Sequence, residues 1–150
     1  MKNDKLFFFP PPLVALLLIG AARTLDQMLS WISLIPASSG GIVWIAAGLA
    51  LSLSAAFQFH QIKTTVLPMG SPTQLVTLGA YLWTRNPMYL GILTALLGLA
   101  VIMGTLPYWL VPAAFFLIIN RIHIPYEEAQ LEASFGPRYD RYRKAVRRWL

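Results

Sequence analysis

The 150-residue sequence predicts an all-α integral membrane protein, with about four transmembrane helices plus amphipathic C-terminal helices. Three observations carry that expectation. Charged residues make up 12% of the chain against 57% hydrophobic ones, about half of the roughly 25% charged share usual in soluble domains. No Asp, Glu, Lys or Arg occurs in the 36 residues between Asp26 and Lys63, nor in the 35 between Arg85 and Arg121. Uncharged apolar runs of that length read as bilayer spans. After Pro125, apolar residues (Leu131, Phe135, Tyr139, Tyr142, Val146, Trp149) alternate with charges at spacings of three and four, the period of an amphipathic helix.

The same composition excludes several classes. A chain this apolar is not a disordered one. The absence of cysteine removes disulfide scaffolds and cysteine-based zinc or redox sites. The net charge of +6 sits mainly in Arg121–Leu150, where seven Lys/Arg face four acids. In a membrane protein that excess fits the positive-inside rule and attraction to anionic headgroups, so membrane lipid is the expected partner and nucleic acid is not.

Taken in order, a single membrane domain is expected over residues 1–150, with two N-terminal spans in 1–60 and a loop, helical hairpin and tail in 60–150. Pro10, Pro11 and Pro12 place the first helix start near Pro11 or Pro12, since proline is tolerated in a first turn and not inside. Phe7, Phe8 and Phe9 would anchor it at the interface. It is expected to run past Arg23 and Asp26, a self-neutralising i,i+3 pair, to about Trp31–Ile35. Lys2 and Lys5 before an apolar run ending in Ala-Ala also suit a signal peptide, but the proline block argues for a retained span. Pro36 and Ser38–Gly41 make a turn. A second helix over about 41–59 is rich in Gly, Ala and Ser, which suits close helix packing. Residues 60–84, broken by Pro68, Gly70, Pro72 and Gly79, read as a structured surface loop. Met88–Met103 and Pro107–Arg121 form two short helices, and the tail helix breaks at Gly136-Pro137. With four spans, 11 of 12 basic residues fall on one side and Arg23 alone on the other, which assigns both termini to the cytoplasm.

Three polar groups on that side are candidates for chemistry. In Arg85-Asn86-Pro87-Met88-Tyr89-Leu90-Gly91, a helix N-terminus beside an arginine offers an anion site, and Gly91 permits close backbone approach. A proline-capped helix start with a snorkelling arginine explains the same residues. Glu127 and Glu128 point about 100° apart on a helix, so one would accept from a ligand while the other pairs with an arginine; a solvated face is the plainer reading. His123 stands four residues before Glu127, while His60 follows the second helix. Neither histidine has metal-ligand spacing to other ligands, so no metal is expected.

The order of these motifs resembles the isoprenylcysteine carboxyl methyltransferase family, with part of it shared by the related phospholipid methyltransferases. The resemblance rests on Thr64-Thr65-Val66, the run Leu75 to Tyr81, Arg85 to Gly91, Glu127-Glu128 with Leu131, Phe135, Gly136, Tyr139 and Tyr142, and Val146 to Leu150. It implies a helical membrane methyltransferase that uses S-adenosylmethionine and takes a lipophilic methyl acceptor from the bilayer, in a bacterial or archaeal cell membrane. On this resemblance Leu75, Val76 and Tyr81 line the cofactor pocket. Asn86 and Tyr89 belong to the part that holds its methionine end, with charge support from Arg85 or the helix end, and Glu127 meets its ribose hydroxyls. The chain departs from the eukaryotic pattern at Asn86, where those members carry His, and at His123, where the family often has Arg.

An acceptor that is already anionic needs no base. An amine or neutral hydroxyl does, and His123 or Glu128 is the candidate catalytic base. Two other functions remain open from the residues: a membrane reductase with a nicotinamide cofactor, and a non-enzymatic module binding lipid or a partner.

Overall fold

The computed structural model describes residues 9–29, 32–61 and 74–150. Phe7, Phe8, Trp31, Lys63, Thr64-Thr65-Val66 and the prolines of the loop lie outside them, and Phe9 is exposed. Helix α1 spans Pro11–Leu29, α2 Gly41–Gln61, α3 Pro87–Met103 and α4 Leu106–Ile118. A π-helical turn, Ile119–His123, joins α4 to α5 (Ile124–Phe135) without a break, and α6 covers Pro137–Ala145. A 3-10 turn, Gly79–Leu82, precedes α3. The protein is all-α and membrane-type. Three helical runs are long and apolar enough to cross a bilayer: Pro11–Leu29, Gly41–Gln58 and Leu106–Phe135. The fourth apolar helix, α3, has 17 residues, or about 25 Å at 1.5 Å per residue.

Two pairings organise the bundle: α2 lies against α3, and α1 against α4. The α2–α3 seam is built from residues without side chains. A Cβ on Gly98 would stand 2.5 Å from the Gly41 carbonyl oxygen and 2.8 Å from the Ile45 nitrogen. Gly48 and Gly91 face each other in the same way, each against the other's carbonyl. Such spacing lets two backbones approach closely enough for dispersion to hold them where lipid supplies no hydrophobic drive. The close approach expected at Gly91 is therefore made by α2. Ser52 adds a polar tie, its hydroxyl donating to the Met88 carbonyl at 3.0 Å. Exposed Leu, Ile, Val, Trp and Phe side chains on α1 and α2 are the lipid-facing surface of the bundle.

Two sequence expectations are corrected at the end of the bundle away from the tail. The first helix does not reach Ile35. Residues 32–35 are not helical; Leu34 and Ile35 donate backbone N–H groups to the Gly104 carbonyl, and Ser33 bridges Thr105. Gly104, left-handed at φ +72°, ends α3 and turns its carbonyl toward that strand-like piece. Nor do Arg23 and Asp26 pair with each other. Asp26 turns inward and accepts the Thr105 hydroxyl at 2.6 Å, while Arg23 is exposed. A neutral donor just before α4 satisfies the carboxylate without burying a second charge. The fourth helix, expected to end at Arg121, instead continues to Phe135. That continuation carries Glu127 and Glu128 on the same rod as the apolar α4.

Candidate active site

The opposite end of the bundle gathers nearly all the polar residues singled out above. It is assembled around the first residues of α3. Pro87 occupies the first turn, where its missing N–H costs nothing, and Thr84, Asn86 and Pro87 are buried beneath the tail.

The tail after α6 is latched to this point through its backbone. Arg85 donates its N–H to the Arg147 carbonyl at 2.9 Å. The Arg148 carbonyl accepts two bonds, from the Thr84 hydroxyl at 3.1 Å and the Asn86 amide nitrogen at 2.9 Å. The Asn86 side chain therefore spends one amide hydrogen on the tail, keeping its oxygen and second hydrogen for other partners. The Arg148 guanidinium reaches back to Glu128, at 2.6 Å to Oε2 and 3.2 Å to Oε1, and to Asn120 Oδ1 at 3.4 Å. Trp149 donates its indole N–H to the same Asn120 oxygen at 3.1 Å and stacks obliquely on Phe116, with ring centroids 5.1 Å apart.

Glu127 and Glu128 have different partners, and the expected arginine pairing falls to Glu128. Glu128 lies between two guanidiniums, with Arg85 Nη2 at 3.0 Å from Oε1 and Arg148 beyond. A carboxylate whose two oxygens are both taken up by guanidiniums has the geometry of an anchor. Glu127 instead receives the Tyr89 hydroxyl on Oε1.

The Arg85 side chain is only 10% exposed. One nitrogen meets Glu128, but its Nε and Nη1 are buried with no hydrogen-bond partner among the described residues. Buried unsatisfied guanidinium donors are costly, by about 1–3 kcal/mol or more for a charged group. They are explained when an anion completes the set.

The remaining candidates sit around this centre. Tyr81 and Val76 are buried together with Ala55, and Met88 and Tyr142 pack on them. Tyr142 donates its hydroxyl to the Tyr81 carbonyl at 2.8 Å. Leu75 points instead into a cavity with Thr77, Arg138, Arg141 and Tyr142, as alternation along an extended segment requires. His123 is buried in the π turn one helical turn before Glu127, and its Nε2 lies 3.2 Å from the Phe9 carbonyl. A carbonyl only accepts, so Nε2 carries the proton of that bond. The structure thus brings Arg85, Asn86, Tyr89, Glu127 and Glu128 to one end of the bundle, with Tyr81 and His123 at its flanks. Among the described residues no group of His, Asp and Glu is arranged to hold a metal ion.

Four contributors were given no site role in the sequence: Thr84, Asn120, Arg148 and Trp149. Thr84 was adjacent to a marked motif, and Arg148-Trp149 stood inside a quoted one. Their roles run through carbonyl oxygens and a distant amide, which residue spacing does not reveal.

Comparison with known proteins now gives the arrangement its context. A family model for phospholipid methyltransferases matches residues 37–138, from the turn before α2 to the start of α6. A Haemophilus influenzae protein described only as uncharacterized is 44% identical over 63 residues, 42% of this chain and the whole of that protein. No solved structure matches. The family match covers both the glycine seam and the Arg85–Glu128 centre, and the chain belongs to the phospholipid methyltransferase family, whose activity is methyl transfer at a membrane.

Proposed function

We propose that the protein transfers a methyl group from S-adenosylmethionine to a lipophilic nucleophile that enters from the bilayer, at the cytoplasmic end of the bundle. The observation that carries this reading is the Arg85 guanidinium, buried beside the start of α3 with two donors that no described residue pairs. The residues present fit the cofactor. Arg85 and the first-turn amides of α3 suit its carboxylate, the Asn86 oxygen suits its ammonium, and the Glu127 carboxylate suits ribose hydroxyls. When bound, S-adenosylmethionine supplies an electrophilic methyl on a sulfonium.

Each residue has a definite task in this reading. Glu128 holds Arg85 in place while Arg148 shares its charge, so Arg85 stays oriented without being neutralised. Tyr89 fixes the Glu127 carboxylate through one oxygen. Val76 and Tyr81 exclude water from the adenosine side. For an acceptor that must lose a proton, His123 is the proposed base, since Glu128 is engaged by two arginines. Proximity and desolvation supply the rest of the rate. Family membership favours a phospholipid amine as acceptor; the isoprenylcysteine-type carboxylate suggested by the motif resemblance is the second acceptor to test.

The deciding measurement titrates detergent-purified protein with S-adenosylmethionine, S-adenosylhomocysteine and NADPH. Binding of the two sulfur ligands, weakened by Glu127→Ala, is expected. Binding of NADPH alone would transfer the site to a nicotinamide reductase, and binding of none would leave a lipid- or partner-binding module. Turnover is then followed on phosphatidylethanolamine, a prenylcysteine, a thiol and a phenol.

A further inference from the structure

Helix α6 divides its cations into two sets. Arg143 lies 3.2 Å from Asp140 and 3.5 Å from Glu132, and Lys144 lies 2.7 Å from Asp140. The hydrogen bond from Lys144, foremost, holds the Asp140 carboxyl below its ordinary range. These cations are spent. Arg138 and Arg141, three residues apart on the same helix, form no ion pair among the described residues, and both border a cavity of about 260 Å3. Thr77 adds a hydroxyl to its lining and Leu75 an apolar wall. Tyr142 closes a further side; burial pushes its hydroxyl up, so it stays neutral and cancels none of the arginine charge. Among the described residues no carboxylate lines the cavity.

We propose that this cavity is a second ligand site, separate from the Arg85–Glu127 centre, which binds the phosphate group of a net-anionic molecule. Two guanidiniums and a hydroxyl match a phosphodiester in charge and in donor geometry. With no acidic group to receive an ammonium, the site favours an anionic headgroup over a zwitterionic one. The apolar Leu75 wall suits the glycerol end of a lipid. A lipid headgroup and free phosphate share the recognised chemistry, and the lipid is the expected source because a basic, membrane-borne helix faces headgroups at high local concentration.

The test uses the full chain, purified in detergent and titrated with phosphatidylglycerol, with phosphatidylcholine and with inorganic phosphate. Wild type should bind phosphatidylglycerol in preference to phosphatidylcholine, and the double variant Arg138→Gln/Arg141→Gln should bind it about tenfold or more weakly. A control with the same loss of charge, Arg121→Gln/Arg147→Gln, should retain wild-type affinity. Equal loss in both double variants would overturn the site, reducing it to general surface charge. Displacement of the lipid by inorganic phosphate at similar affinity would support the phosphate site and assign it to the soluble ion. The S-adenosylhomocysteine affinity of the Arg138/Arg141 variant should be unchanged. A parallel fall there would overturn the claim that the two sites are separate, whereas failure of wild type to bind that ligand would count against the cofactor reading alone.

Discussion

Glu127 and Glu128 are neighbours in sequence with opposite surroundings, and substitution should separate them. Removing the Glu127 carboxylate takes away one acceptor that the cofactor reading requires. Glu127→Ala and Tyr89→Ala should each weaken S-adenosylhomocysteine binding by about ten- to a hundredfold, the equivalent of one charged hydrogen bond, in titrations of folded protein. Arg148→Gln should act differently. Glu128 is then left with Arg85 alone, so Arg85 is drawn further into that pair. The expected result is a loss of about 1–2 kcal/mol in stability, reduced from the fully buried case because Arg148 is 35% exposed. Weaker cofactor binding should accompany it, and Arg148→Lys should rescue it only partly, because an ammonium makes no forked contact. Unchanged binding in Arg148→Gln would mean that the tail latch serves stability alone. Asn86→His and His123→Ala probe the two departures from the eukaryotic motif. The first should retain binding with a new pH dependence near about 6.5. The second should lower turnover only on acceptors that must lose a proton. Most of these side chains were legible in the sequence, because Arg85, Asn86, Tyr89 and Glu127-Glu128 stand out as polar groups beside uncharged runs. Thr84 and Asn120 were not, since their part lies in bonds to a backbone carbonyl and to a side chain about 30 residues away.

At the level of elements, the sequence located every described helix, while the ends depended on partners it does not display. Proline placed the starts of α1, α3 and α6. The end of α1 was overestimated because residues 32–35 remain apolar, yet their backbone pairs with the Gly104 turn. Apolar character does not distinguish a helix from an edge segment that has found a partner. The boundary at Arg121 was misplaced for the opposite reason. A charged residue looked like the end of a span, whereas the helix passes through it by way of a π turn. The small residues of α2 foretold tight packing but not which helix would meet them. Gly98→Leu should therefore push α3 from α2, and Thr105→Val should leave the Asp26 carboxylate without its donor. The first should lower the detergent unfolding midpoint most, and the second should cost about 1–3 kcal/mol. A Gly98→Leu protein as stable as wild type would mean that the seam is not the main contact holding α3.

For the whole molecule, the 11-to-1 division of basic residues on a four-span layout carries the proposal that both termini and the polar end are cytoplasmic. Reporter fusions at Ser39 and after Leu150 should give opposite signals, and an external C-terminal signal would move the site to the other face. The continuous run from Leu106 to Phe135 has a consequence for such a topology. One end of that rod is tied to α1 through Thr105 and Asp26, and the other presents Glu127 to the α3 start. Beside it stands a helix of 17 residues, about 25 Å against a hydrocarbon layer of roughly 30 Å. A long helical run, interrupted at Pro112 and at the π turn, next to a short helix makes the pair sensitive to membrane thickness. Lengthening the acyl chains of the host bilayer should tilt the rod relative to α3 and shift Glu127 along Tyr89, so that catalytic rate becomes a readout of the lipid environment.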